Sequence, residues 1–235
     1  MTEGIIYVLH GRRGKIPKSN IDLLHTYMKR SDNPSIIGFL EGQQQTLEEG
    51  IEFLQSKTKH IIVVPVLLFS ATHIRWDIPR RINDVLKAGV SFTVLKPLAT
   101  TEAIFNYLNQ TLKSAIQTYP NRKILIVAHG TPHFPEPYEQ LTALAKRLQE
   151  AVKVPIICAN HIGHHLVPDV LADESAALIV QRLFLTDGRL ANRIKTNVLK
   201  AQPDSTFLPT LEDHPVITEA IEERLNETRP IINQK

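Results

Sequence analysis

The seven residues IIYVLHG at 5–11 recur as ILIVAHG at 124–130, each an apolar run closed by a His-Gly pair. The repeat is not confined to that motif. His10 and His129 lie 119 residues apart, TEAI at 101–104 recurs at 218–221, and Leu108-Asn109 recurs as Leu225-Asn226. The last two matches share an offset of 117, and the apolar runs at 65–73 and 181–189 align at 116. A nearly constant offset across several elements marks an internal duplication. The 235 residues are therefore expected to form two tandem domains, 1–118 and 119–235, joined near Tyr119-Pro120-Asn121.

Each half alternates short β-branched runs with longer helical patterns. In the first, strands are predicted at 5–9, 35–40 and 91–95, and the apolar run 61–69 suits a strand buried on both faces. Pro65 interrupts that run, because proline cannot donate to a ladder, so the strand is expected to end or bend there. Helices are predicted at 19–29, around Leu47, Ile51 and Leu54, at 77–86 and at 101–117. The second half repeats the order. Strands are expected at 123–128, 155–159, within 176–185 and at 206–208, and helices at 138–152, 189–199 and 215–226. Repeated β-α-β units imply an α/β fold of two doubly wound parallel sheets. Ligands in such sheets bind outside the carboxyl ends of the strands. His10, Glu41 and His73 each fall at or just beyond such an end.

Composition narrows the options. A net charge of +3 with 6% aromatic residues gives no basis for nucleic-acid binding. No run reaches the roughly 18 apolar residues of a membrane span, and the N-terminal residues lack the pattern of a signal peptide. Cys158 is the one cysteine, which excludes an intramolecular disulfide or a thiolate cluster. A cytoplasmic protein is the expectation. Basic residues cluster at Arg12, Arg13, Lys15 and Lys18, and again at Arg75, Arg80 and Arg81. Beside the motif histidines they suit an anionic ligand, although solvated loop charge is their commoner role.

Two imidazoles and a carboxylate can ligate iron, cobalt, nickel or zinc, and they can equally accept protons near neutral pH. The spacings of 31 and 63 residues from His10 match no local metal motif. Other chemistries lack an anchor. A phosphate-gripping arginine before His-Gly, as in histidine phosphatases, is replaced by Leu9 and Ala128. The phosphate-binding loop GxxxxGK[ST], the dinucleotide fingerprint GxGxxG and the nucleophile elbow are absent.

The runs VLHGRRG, GFLEGQQQTLEEGI and HIIVVPVLLFSATHIRWDIPRRI resemble the sirohydrochlorin chelatases of the CbiX/SirB type, over about residues 4–90, and the remainder resembles the long, two-domain form. The resemblance implies insertion of Fe²⁺ into sirohydrochlorin, giving sirohaem and two protons. Cobalt insertion on a cobalamin route, with nickel a further possible metal, and a non-catalytic metal or tetrapyrrole carrier are the alternatives. It implies that His10 and His73 handle metal and protons, with Glu41 in support. It also implies that Arg12, Arg13, Lys15, Arg75, Arg80 and Arg189 meet the carboxylates of the tetrapyrrole. The metal is a substrate, and no permanently bound cofactor, nucleic acid or membrane partner is expected. With the duplicated halves enclosing the tetrapyrrole, the chain is expected to be a monomer.

The second half departs from this pattern. His129 keeps the first position, Arg189 is expected opposite His73, and the counterpart of Glu41 falls near His161-Ile162. Arginine can neither ligate a metal nor take a proton, so one active site, in the first half, is expected. His161, His164 and His165 leave two readings, a second metal-loading site or a structural loop. Their Gly- and Pro-containing surroundings favour the loop.

Overall fold

Apolar side chains buried on both faces mark the central strands of the two halves. The computed structural model describes residues 3–11, 18–70 and 73–228. In the first half β1 (Gly4–Gly11), β2 (Ser35–Glu41), β3 (His60–Pro65) and β4 (Ser91–Val94) form a parallel sheet in the order β2-β1-β3-β4. Three helices connect them, α1 (Lys18–Met28), α2 (Leu47–Gln55) and α3 (Ile78–Val85).

Period two divides β1 between the faces of its sheet. Ile6 and Val8 join Leu47, Ile51 and Leu54 of α2 and Ile78 and Ile82 of α3 in one core. Tyr7 turns the other way and meets Tyr27 of α1 edge to face, ring centroids 6.1 Å apart. Full burial of each such Leu or Ile contributes about 1.5–3 kcal/mol. Thr46 and Glu49 close a capping box that starts α2 immediately after the β2 loop. Pro65 is the last residue of β3, and the ladder resumes at once with Val66 N–H donating to Val8 O at 2.8 Å. The proline therefore ends the strand at no cost in hydrogen bonds.

The second half repeats the plan after α4 (Glu102–Thr118). Strands β5 (Ile124–Ala128), β6 (Ile156–Asn160), β7 (Ile179–Arg182) and β8 (Thr206–Leu208) are ordered β6-β5-β7-β8, again parallel. The helices are α5 (Glu136–Val152), α6 (Val167–Val170), α7 (Arg189–Ala201) and α8 (Val216–Asn226). Leu125, Val127, Val180, Ile194 and Val198 form a core matching that of the first half. Two details depart from the sequence reading. The expected strand within 176–185 is Ile179–Arg182, but α6 is a single unpredicted turn, and a π-helical turn (His73–Asp77) precedes α3.

The chain separates into two compact units, residues 1–101 with 217–235 and residues 102–216. The C-terminal helix of each repeat therefore belongs to the unit built on the other repeat's sheet. In the first unit, α8 is held by Tyr27 Oη–H donating to Glu222, and by Arg224 Nε and Nη2 donating to Pro97 O at 2.9 and 2.8 Å. In the second, α4 packs on α5, with Arg147 Nη2 donating to Glu102 at 2.8 and 2.9 Å. Among the described residues, no helix is long and apolar enough to cross a membrane.

Candidate functional site

β1 and β2 end side by side, with Gly11 paired to Glu41. The His10 ring then stands beside the Glu41 carboxylate, Nδ1 to Oε2 at 3.9 Å, with the two side chains 50% and 45% exposed. His10 Nδ1 also lies 3.4 Å from Gly11 O. Both neighbours are acceptors, which favours the proton on Nδ1. Gly11 makes the approach possible. Its φ is +79°, and a Cβ there would sit 2.1 Å from Glu41 O. A side chain at this position would push the strand ends apart.

After β3 the chain reaches the turn His73–Asp77 and enters α3, whose first turn accommodates Pro79. The side chain of His73, and Arg12, Arg13 and Lys15, lie outside the described residues. Arg75 and Arg80 are exposed, and Arg80 reaches Asp77 at 3.5 Å and Asp84 at 3.9 Å. The sequence reading passed over Trp76 and took Arg81 only as part of a basic cluster. Trp76, 66% exposed, is the one tryptophan of the chain. Arg81 is largely buried, its side chain 17% exposed. Its guanidinium donates to Glu48 at 2.6 and 2.7 Å and to Leu40 O at 2.9 Å, and lies 3.7 Å from Asp77. Those hydrogen bonds hold the Glu48 carboxyl below its ordinary pKa. A buried arginine beside a surface-type charge pattern is hard to recognise in sequence, because the acceptors come from three different segments.

In the second unit His129 Nδ1 donates to Gly130 O at 2.9 Å, so Nε2 carries the lone pair. Gly130 repeats the role of Gly11, with φ +75° and a would-be Cβ 2.3 Å from Ile162 O. Ile162 therefore occupies the place of Glu41 and supplies no carboxylate. His161 lies beside His129, ring centroids 6.3 Å apart. Burial, then the His129 and Arg193 charges, lowers its pKa. Val66 and Leu183 both donate to the equivalent strand, at Val8 and Val127. Ile194 and Val198 of α7 are buried as Ile78 and Ile82 of α3 are, an offset of 116 that keeps the exposed Arg189 at the position matching His73. Arginine offers a metal no lone pair. Asn160 organises the histidine loop, donating from Nδ2 to His164 O at 3.0 Å, while His165 stacks on Tyr138 at 4.0 Å. Among the described residues, no three His, Cys, Asp or Glu side chains converge to hold a metal ion.

Fold and site together define a duplicated parallel α/β protein that presents imidazole and carboxylate at the strand ends of its first unit. The chain belongs to the CbiX family, whose pattern matches residues 4–115 and 123–228. It is 27% identical over 242 residues to the sirohydrochlorin ferrochelatase of Bacillus subtilis strain 168, covering 97% of this chain and 92% of that one. It is 33% identical over 127 residues to the sirohydrochlorin cobaltochelatase of Saccharolobus solfataricus, a match covering 49% of this chain and 95% of the relative. Among solved structures it superposes on SirB from Bacillus subtilis with Fe³⁺ at a TM-score of 0.84 and 26% identity, covering 97% of this chain and 95% of that one.

Proposed function

We propose that the protein is a sirohydrochlorin ferrochelatase, with its catalytic groups in the N-terminal repeat, residues 1–118, and a degenerate repeat in 119–235. The observation that carries the reading is the His10–Glu41 pair, 3.9 Å apart at adjacent strand ends. It stands in a chain that aligns along nearly its whole length with a named ferrochelatase. The reaction takes Fe²⁺ and a macrocycle with two pyrrole N–H groups, and yields the metallated macrocycle and two protons. Neutral imidazole can ligate the ion or accept a proton. Glu41 offsets positive charge as the ion sheds water, and its position beside Nδ1 orients the His10 ring. His73 is assigned the partner role through its place in the turn after β3. Arg12, Arg13, Lys15, Arg75, Arg80 and Arg189 are the proposed partners of the substrate carboxylates, for which guanidinium offers a bidentate fork.

The protein is read as a cytoplasmic monomer without a permanently bound cofactor. Cobalt insertion is the second reading, favoured by the half-length relatives named cobaltochelatases. An anaerobic absorbance assay with sirohydrochlorin and Fe²⁺, Co²⁺ or Ni²⁺ tests both. Wild-type protein should exceed the spontaneous rate, fastest with Fe²⁺, and His10→Ala or His73→Ala should abolish the excess. Tetrapyrrole binding without rate enhancement would instead make the protein a carrier.

A further inference from the structure

The clamp around Arg81 joins the two pieces of backbone that bear the proposed metal-handling groups. Leu40, whose carbonyl accepts from Arg81 Nη1 at 2.9 Å, immediately precedes Glu41. Asp77, 3.7 Å from Nη1, ends the turn that His73 begins. Glu48, in the first turn of α2, takes the remaining fork through Nε at 2.6 Å and Nη2 at 2.7 Å. We infer that Arg81 is a positioning residue that fixes the Glu41 strand end against the His73 turn, and so sets the geometry in which the metal ion is held. The inference rests on the ferrochelatase reading above.

Two features argue that the clamp serves the site and not merely the fold. The guanidinium is planar and cannot lose its proton, so one rigid group satisfies acceptors on three segments at fixed angles. A lysine would offer a single point charge. The second unit shows that the fold does without it. The bridges Phe39–Thr46 and Asn160–Leu166 align the N-caps of α2 and α6 across a loop one residue shorter in the second unit, and Pro168 then stands where Glu48 does. That ion pair cannot form in the unit that also lacks the Glu41 carboxylate.

The test uses the intact chain and Co²⁺, whose visible d–d bands report ligand geometry. Three variants, Arg81→Met, Arg81→Lys and Asp77→Asn, are compared with wild type in Co²⁺ titrations and in insertion kinetics. Loss of a residue that orients metal ligands typically weakens metal binding about 10–100-fold. Arg81→Met is expected to lose Co²⁺ affinity in that range, to shift the d–d bands and to lower kcat. KM for sirohydrochlorin should stay within about twofold, because the macrocycle itself is not contacted. Arg81→Lys should recover part of the affinity, and Asp77→Asn should shift the bands with a smaller change in Tm. Wild-type affinity and spectrum in Arg81→Met, at a temperature where it is folded, would overturn the inference even if Tm falls. Should Arg81→Met fail to fold, unchanged spectra in both other variants would overturn it equally. A wild-type protein that neither binds Co²⁺ nor accelerates insertion would overturn the functional reading, and this inference with it.

Discussion

Gly11 and Gly89 have the same φ of +79°, but a Cβ at Gly11 would meet Glu41 O at 2.1 Å, whereas at Gly89 it would meet nothing within 4 Å. The pair separates backbone strain from displacement of the site. Gly89→Ala bears only the left-handed conformation, about 1–2 kcal/mol for a residue with a side chain. Gly11→Ala bears the same strain and must also open the β1–β2 ends by on the order of 1 Å, an overpacking cost of about 1–3 kcal/mol. That movement separates His10 from Glu41, and a 1 Å misplacement of reacting groups can cost about 10²-fold in rate. Gly130→Ala is the third arm, with φ +75° and Ile162 O at 2.3 Å. It should destabilise about as much as Gly11→Ala. Urea unfolding followed by circular dichroism gives the stabilities, and the anaerobic insertion assay gives the rates at a temperature where all three are folded. The expected result is a loss of about 10²-fold in Gly11→Ala, with Gly89→Ala and Gly130→Ala close to wild type. Near-normal activity in Gly11→Ala, or an equal loss in Gly130→Ala, would refute the assignment of the chemistry to the first unit's strand ends.

His129→Ala should leave most of the insertion rate, because Ile162 stands where a supporting carboxylate would be; a loss equal to that of His10→Ala would show that the second unit is catalytic. Burial pushes the Cys158 thiol up from 9.0 to about 11. The folded state then keeps a proton that the unfolded chain releases, so stability falls by up to about 1.4 kcal/mol per pH unit as pH rises from 9 towards 11. Cys158→Ala should remove that slope in unfolding measurements. Native protein should react with a thiol reagent at neutral pH far more slowly than unfolded protein does. The Glu48 carboxyl is held low mainly by its Arg81 hydrogen bonds. Its contribution is thus present above the ordinary carboxylate pKa of 4.5 and is lost as pH falls through and below that value. Glu48→Gln should flatten this acid limb, and an unchanged limb would discount the pair.

Which segments form strands and helices was legible in the sequence because each half carries its own periodicity, and the shared offsets tied the halves together. The grouping of α4 with the second unit and α8 with the first was not. An amphipathic helix declares that it has an apolar face but not which sheet that face will cover, and TEAI at 101–104 and 218–221 reads alike in either arrangement. The contacts that decide it, such as Arg224 to Pro97 O, span 127 residues. The His10–Glu41 proximity was legible for the opposite reason. Parallel strands in register place their ends together, and the His-Gly pair and the Phe-Leu-Glu run each close a strand. Arg81 fell outside that logic, since its acceptors are a carbonyl, a helix carboxylate and a turn carboxylate with no shared spacing.

Comparison of the halves separates what the backbone requires from what the chemistry requires. Gly11 and Gly130 keep the same positive φ and the same close approach to a neighbouring carbonyl. The Phe39–Thr46 bridge recurs as Asn160–Leu166, and His10 and His129 both point Nδ1 at the following carbonyl. Those are the terms of the fold, and both units keep them. Three other positions have changed together: Ile162 replaces Glu41, Pro168 replaces Glu48, and the 116-residue offset sets Arg189 against His73. Each change removes a carboxylate or an imidazole while leaving the strand register intact. Losses that spare the scaffold and fall on charge and proton-transfer groups are what the proposed single site in the first unit requires, and on that reading restoring activity to the second unit should take all three groups at once, not one.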